Sequence, residues 1–270
     1  MNQMYFAYDR HATDLADVLD KTLFDALEQR PDVRFYALVD SAFAPQEVAA
    51  LLDKAPYQQA KSIYADTPLQ GFEELAPVLV HLPSEMTARR LAIADWLTLC
   101  DSKPMLSFVA TQLAPPQLTQ HFSAFLQIRD DSNMRYTLRF ADTRMTSAIL
   151  DCLPPEQKQA WLAGMSAWWL IGRNGGLQLL GGTQAPPVAA QPNDWHDLAI
   201  SDAQLIQLHD NTEADIMLSY LYETMPESFA GHQPSALYQQ ANQLLRQLDR
   251  QQISDDHMRL TQVRTLLAAA

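Results

Sequence analysis

Apolar residues follow two different spacings in the first part of the chain, and each spacing predicts a different element. Apolar side chains three or four positions apart predict a helix over 13–29, with Thr13 as its N-cap and Pro31 at its end. Continuous apolar runs predict buried strands at 33–39 and 77–82, because runs without polar alternation are typical of strands covered on both faces. These elements together predict a sheet packed against helices.

Proline and turn residues predict the other elements of this part. The predicted helices are 45–53, 87–99, 104–113, and one that follows Pro154-Pro155 and carries Trp161. The predicted hairpins are 122–129 with 134–140, around the turn Asp130–Asn133, and 168–171 with 177–180, around Gly172–Gly176. The loop-rich stretch 54–71 is expected to hold one short strand near 62–65.

A Gly-, Pro- and Ala-rich stretch divides the chain. Residues 181–195 have the composition of a linker, and the pattern beyond them is helical only. Ser201 and Gln204 form a capping-box pattern that starts a helix to about Tyr222. Two more helices are expected, through 237–248 and from 254 onward. The predicted fold is an α/β (α+β) N-terminal domain over 1–180, with a mixed sheet flanked by helices, then the linker 181–195 and an all-α lobe over 196–270.

Composition and charge exclude several classes of protein. The 270 residues are 47% hydrophobic and 19% charged, which is typical of a globular protein rather than a disordered one. Lys and Arg number 19 against 32 Asp and Glu, a net charge of −13. Such a field repels phosphate backbones, so we expect no nucleic-acid partner and a salt-sensitive attraction to basic protein surfaces. Residues 1–10 lack a signal-peptide pattern and no apolar run approaches a membrane span. We therefore expect a cytoplasmic protein that does not bind membranes.

The residues that usually carry catalysis form no recognisable motif. The sequence has no nucleophile elbow, phosphate-binding glycine loop or HExxH motif, and Cys100 and Cys152 stand alone. No two of the seven histidines have the spacing of a helical metal site. We therefore expect a protein that is not an enzyme and has no metal and no cofactor.

Charged side chains mark two places at the ends of predicted strands. Asp40 ends the first buried strand, where it could serve a site or simply accept hydrogen bonds from the next turn. Arg139, Asp142 and Arg144 end the first hairpin, where they could bind an anion or a peptide, or form ion pairs that fix the strand end. Trp168 belongs to a tryptophan cluster that could lie in the core or at an interface between the lobes.

Three blocks of sequence stand out by their order and spacing. The first block is 36–42, YALVDSA, the second is 71–82, GFEELAPVLVHL, and the third is 139–144, RFADTR. Together they resemble the type VI secretion effector-loading adaptors, a family long described only as a domain of unknown function, whose third block is Arg-Phe-Tyr-Asp-Pro-Arg. Glu156-Gln157 and Trp168 fit the pattern that follows, so the resemblance covers about residues 33–175.

This resemblance implies a function that the residue chemistry alone does not give. Members of this family are adaptors or chaperones that bind a toxic effector and help to deliver it to the spike protein at the tip of the secretion tube. The resemblance implies no catalysis and no cofactor, and it places the helical lobe in the variable region after the shared domain. Partner recognition would use a concave surface with apolar or aromatic anchors.

Two other functions remain open at the level of sequence. The chain could be an immunity-type inhibitor that occludes a toxin's active site. It could also be a small phosphoester hydrolase, with Asp40 as nucleophile or base and Arg139 and Arg144 as phosphate clamps. The hydrolase requires these three side chains to converge on one point.

Overall fold

The computed structural model describes residues 5–30, 32–182 and 198–269. The strands in chain order are β1 (Arg34–Asp40), β2 (Lys61–Ser62), β3 (Pro77–Leu82), β4 (Leu106–Thr111), β5 (Gln127–Arg129), β6 (Arg135–Thr137), β7 (Met165–Ile171), β8 (Leu177–Gly181) and β9 (Leu198–Ala199). The α-helices are α1 (Leu15–Gln29), α2 (Pro45–Leu52), α3 (Met86–Cys100), α4 (Pro115–Ser123), α5 (Thr143–Cys152), α6 (Pro155–Leu162), α7 (Asp202–Asp210), α8 (Glu213–Thr224), α9 (Pro234–Arg250) and α10 (Asp256–Ala269).

The central sheet has six strands in the order β2-β3-β1-β4-β7-β8, and every neighbouring pair is antiparallel. The expected mixed sheet is therefore wrong for this layer. The helix α3 does connect two strands of the same direction, β3 and β4, as a crossover in a mixed sheet would. However, β1 lies between them and runs the other way. A second sheet, β6-β5-β9, is mixed, because β5 pairs antiparallel with β6 and parallel with β9.

Helices cover both faces of the central sheet. On one face Tyr36 and Leu38 of β1 pack with apolar residues of α4 and α5. On the other face Phe35, Ala37 and Val39 pack with residues of α1 and α3. Burial on both faces removes the polar alternation of a half-exposed strand, so the prediction of doubly covered strands is confirmed for β1.

A third apolar core lies within the C-terminal helices and also takes in the start of the chain. Helices α8, α9 and α10 share this core with Ala7, and Tyr5 packs against it. In addition, Asp9 accepts hydrogen bonds from the backbone N–H and hydroxyl of Ser235, at 2.9 and 2.6 Å. Contacts therefore cross the predicted boundary between residues 1–180 and 196–270. Most of the predicted linker, residues 183–195, lies outside the described residues.

Several predicted elements differ from the observed ones. The expected helix 104–113 is the strand β4, fully buried between β1 and β7, and an apolar run of this length cannot be assigned by periodicity alone. The hairpin strands are shorter than expected, because Phe122 belongs to α4, where it repeats the buried position of Leu118 four residues on. The expected helix to Tyr222 is broken at Asn211-Thr212 into α7 and α8.

The predicted ends of the first helix and the expected all-helical C-terminal lobe also need correction. The helix α1 begins after Asp14 rather than after Thr13, and Pro31 lies outside the described residues. The strand β9 interrupts the expected all-helical region, and the short strand expected near 62–65 is β2. The hairpin of β7 and β8, the strand 77–82 and the capping box of Ser201 with Gln204 are confirmed.

The turn between β7 and β8 holds the N-terminal segment in place. The backbone N–H of Asp9 donates to the carbonyl of Arg173 at 2.8 Å, and that of Ala12 donates to Gly175 at 3.0 Å. Gly175 has a φ of +72°, and a Cβ there would lie 2.1 Å from the carbonyl oxygen of Arg10. Only glycine fits both the left-handed backbone and this close approach.

Gly175→Ala is therefore expected to lower the free energy of unfolding by about 2 kcal/mol or more, through the backbone penalty and the clash. The neighbouring Gly176→Ala is the matched control, because its new Cβ would meet nothing closer than 3.5 Å. Urea unfolding of both variants measures the difference. Equal stability of the two variants would contradict the observed docking of the N-terminal segment.

Candidate functional site

Asp40 ends β1 in an ion pair whose carboxylate is buried and whose arginine is partly exposed. Its Oδ2 accepts a hydrogen bond from Nη2 of Arg139 at 2.9 Å, and its Oδ1 accepts one from the backbone N–H of Ala42 at 3.1 Å. The residue is 2% exposed. Burial raises the pKa of the Asp40 carboxyl above its ordinary value, although the charge of Arg139 opposes the shift. Asp40 therefore accepts hydrogen bonds from the turn, as the structural interpretation of the sequence required.

Asp142 and Arg144 form a second ion pair at the start of α5. The carboxylate of Asp142 caps the helix by accepting from the backbone N–H of Arg144 at 3.0 Å. It also accepts from Nε and Nη2 of the same arginine, at 3.0 and 2.7 Å. A fork of two parallel hydrogen bonds fixes both side chains. The side chain of Asp142 is only 3% exposed, so the arginine and the helix N-terminus take the place of water as its hydrogen-bond partners.

One aromatic ring brings the two ion pairs together. The guanidinium carbon of Arg139 lies 4.7 Å from the ring centroid of Phe43, and that of Arg144 lies 5.3 Å from it. Phe6 packs edge-on against the same ring at 5.1 Å. We call these six residues, Phe6, Asp40, Phe43, Arg139, Asp142 and Arg144, the Phe43 cluster. The structure thus assembles the charged residues that the sequence marked at two separate places.

Trp168 lies elsewhere, on β7 of the central sheet, with its side chain in the core. It is fully buried, and its indole Nε1 donates to the hydroxyl of Ser107 at 3.0 Å. Its ring lies 5.5 Å from that of Phe122 and 6.1 Å from that of Trp161. In this conformation Trp168 has no surface to offer to a partner, so its observed contacts are those of a core residue.

A cleft of about 680 Å³ lies beside the Phe43 cluster. One wall consists of residues 5–10 and the opposite walls come from 42–43, from 101–103 and from the helical bundle at Tyr222 and Pro234. Tyr5 stacks on Tyr222 with ring centroids 4.9 Å apart. The aromatic residues that line this cleft, which we call the aromatic cleft, are Tyr5, Phe6, Tyr8, Phe43 and Tyr222.

Sequence reasoning did not find Phe6, Phe43 or the aromatic cleft. Phe43 stands only three residues after Asp40, but nothing in the local pattern shows that two distant arginines cover its ring. Phe6 comes from the start of the chain and meets Phe43 only through the tertiary fold. The available signal was compositional, since the segment 5–8 contains three aromatic residues, Tyr5, Phe6 and Tyr8.

The hydrogen bonds of Asp40, Arg139 and Arg144 can be compared with what a phosphoester hydrolase would need. Both carboxylate oxygens of Asp40 accept hydrogen bonds. Arg144, the second arginine in contact with Phe43, is paired with Asp142. A phosphoester would have to displace Arg139 before it reached the carboxylate of Asp40. The three side chains lie near one another, as the hydrolase hypothesis required, but their observed contacts are those of structural ion pairs.

Two kinds of feature are absent from the described residues. Over residues 5–30, 32–182 and 198–269, no helix combines the length and the apolar character that crossing a bilayer requires. Within these same ranges, no group of three or more His, Cys, Asp or Glu side chains could hold a metal ion.

Comparison with known proteins gives one family match. The model of the family called "Domain of unknown function (DUF4123)" matches residues 35–160, which is just under half of the chain. The matched part runs from β1 into α6 and contains Asp40, Arg139, Asp142 and Arg144. Trp168 and the C-terminal helices lie beyond it. Searches of the curated proteins and of the solved structures gave no match.

We expect Asp142→Ala to destabilise the fold by about 3 kcal/mol, because it removes a helix cap and leaves the guanidinium of Arg144 without its partner. Glu85→Ala is the control, since Glu85 caps α3 in the same way at an exposed position, and the nearby buried Arg89 keeps its ion pair with Asp20 in this variant. Thermal or urea unfolding should show a clearly smaller loss for Glu85→Ala. Wild-type stability of Asp142→Ala would contradict the structural assignment and would favour a partner-binding role.

Proposed function

We propose that this chain is an adaptor, or chaperone, that binds a type VI secretion effector in the cytoplasm and loads it onto the spike protein. The three sequence blocks that resemble such adaptors support this function. The first block starts at the second matched residue, and all three lie within the match over residues 35–160. The matched family has itself only a loose association with effector-loading adaptors, so the proposal also needs a surface that could bind a polypeptide.

The aromatic cleft is the observation that carries the proposal. Its volume of about 680 Å³ is in the range that holds several side chains of a bound segment. Tyr and Phe provide large contact areas at low cost in conformational entropy, and such residues are frequent anchors in protein interfaces. The cleft therefore has the shape and the composition that recognition of a polypeptide needs.

The Phe43 cluster fixes the position of Phe43 in the wall of this cleft. Arg139 and Arg144 cover the ring of Phe43, and each arginine is held by a buried carboxylate. A wall that is already fixed before the partner arrives loses little freedom on binding, which favours affinity. In this proposal Asp40, Arg139, Asp142 and Arg144 act through the position of Phe43, and no covalent step is involved.

An affinity-tagged copy expressed in its own bacterium tests this function by quantitative mass spectrometry of bound proteins. We expect one effector and a spike protein to be enriched with the wild-type chain. Phe43→Ala should lower recovery of the effector about tenfold, the effect of losing one central anchor of an interface. Arg10→Glu should also lower recovery, because it reverses a charge on a side chain that lines the cleft. This side chain is 88% exposed, so the change leaves the core intact.

Leu179→Ala is the matched control, since Leu179 is 61% exposed on β8 and does not line the cleft. Unchanged recovery with both cleft variants would contradict the proposed binding surface, and the absence of any enriched effector would contradict the function. Deletion of the gene separates the adaptor from an immunity-type inhibitor. Loss of an adaptor stops secretion of the effector, whereas loss of an inhibitor kills the cell that makes the toxin.

A further inference from the structure

A second concave surface lies between α5 and α8, away from the aromatic cleft. Ile216 and Tyr220 stand one helical turn apart on α8, and they are 58% and 52% exposed. Met145 of α5 forms the facing wall, and the groove between them has a volume of about 380 Å³. Glu223 lines the same groove one turn beyond Tyr220. We call this surface the α5–α8 groove.

The chain segment that contains α8 is acidic, and Arg144, the basic residue that lines the groove, is neutralised by its ion pair with Asp142. Residues 198–245 include no Lys and no Arg. Their acidic residues are Asp202, Asp210, Glu213, Asp215, Glu223 and Glu227. Arginines from other parts of the chain neutralise two of them, since Arg173 pairs with Asp215 and Arg259 pairs with Glu213. The other four are exposed to solvent, and Glu223 among them lines the groove, so this border of the groove carries a negative charge.

The negative charge beside the groove favours some possible occupants over others. A second copy of the chain would bring an equally acidic face, and like charges at an interface cost free energy. Anionic lipid and nucleic acid are repelled for the same reason. A segment that carries apolar side chains together with Lys or Arg is complementary to both the apolar wall and the acidic border.

We propose that the α5–α8 groove binds a basic amphipathic segment of a partner protein. The apolar side chains of that segment pack between Met145, Ile216 and Tyr220, and its cationic side chains pair with Glu223. An arginine of the segment can also lie over the ring of Tyr220. This surface differs from the aromatic cleft, and Ile216 and Tyr220 lie outside the family match, so the inference goes beyond the proposed function and does not need it.

The probe for this inference is a fluorescent synthetic helix of Leu and Lys, about 14 residues or four helical turns long. Binding is measured by fluorescence anisotropy with the full chain. We expect the wild type to bind this peptide, to bind it less tightly at high salt, and to ignore the same peptide with Glu in place of Lys. The double change Ile216→Ser with Tyr220→Ser should weaken binding at least about tenfold. Glu223→Gln should weaken it about threefold.

Leu91→Ser is the matched control, because Leu91 is 66% exposed on α3 and belongs to another surface. We expect its affinity to stay within about twofold of the wild type. The inference is overturned if Leu91→Ser weakens binding as much as the double variant, if the double variant binds like the wild type, or if the peptide does not bind. Sedimentation that shows a wild-type dimer and a monomeric double variant would also overturn it, because the occupant would then be a second copy.

Discussion

Two buried carboxylates at the ends of neighbouring elements require charged partners. Asp40 at the end of β1 and Asp142 at the start of α5 are both 2% exposed, and a charge in such a place is costly unless it is paired and hydrogen-bonded. Arg139 and Arg144 provide the pairing, and Phe43 lies against both guanidinium groups. The end of β1 and the start of α5 are therefore fixed relative to each other.

The same constraint connects the two surfaces that we assign to partners. Arg144 contacts Phe43 and Phe6 at the wall of the aromatic cleft, and it also lines the α5–α8 groove. Next to it, Arg173 pairs with Asp215 of α8 and lies 3.5 Å from the ring centroid of Tyr238. Paired arginines thus hold the sheet, the start of the chain and the helical bundle in one arrangement. Both surfaces exist before any partner binds.

The sequence predicted local features well and long-range ones poorly, for a physical reason. Strand 77–82 and the hairpin at Gly172–Gly176 were predictable because their turn residues and apolar runs lie within a few positions of one another. The strand β4 was not, since a fully buried run of six residues has no periodicity that separates strand from helix. Asp40 and Arg139 were each marked as charged strand ends. Their pairing depends on a contact between residues 99 positions apart. Phe6 and Phe43 complete the cluster through a contact between the start of the chain and the turn after β1.

Hydrogen–deuterium exchange of the chain, alone and in complex with a co-purified partner, tests the central claim most directly. If the molecule acts by holding a polypeptide in the aromatic cleft, backbone exchange at residues 5–8 should slow in the complex. The strands β1 and β4, which are already buried, should keep their rates. Unchanged exchange at residues 5–8 in a stable complex would contradict the account.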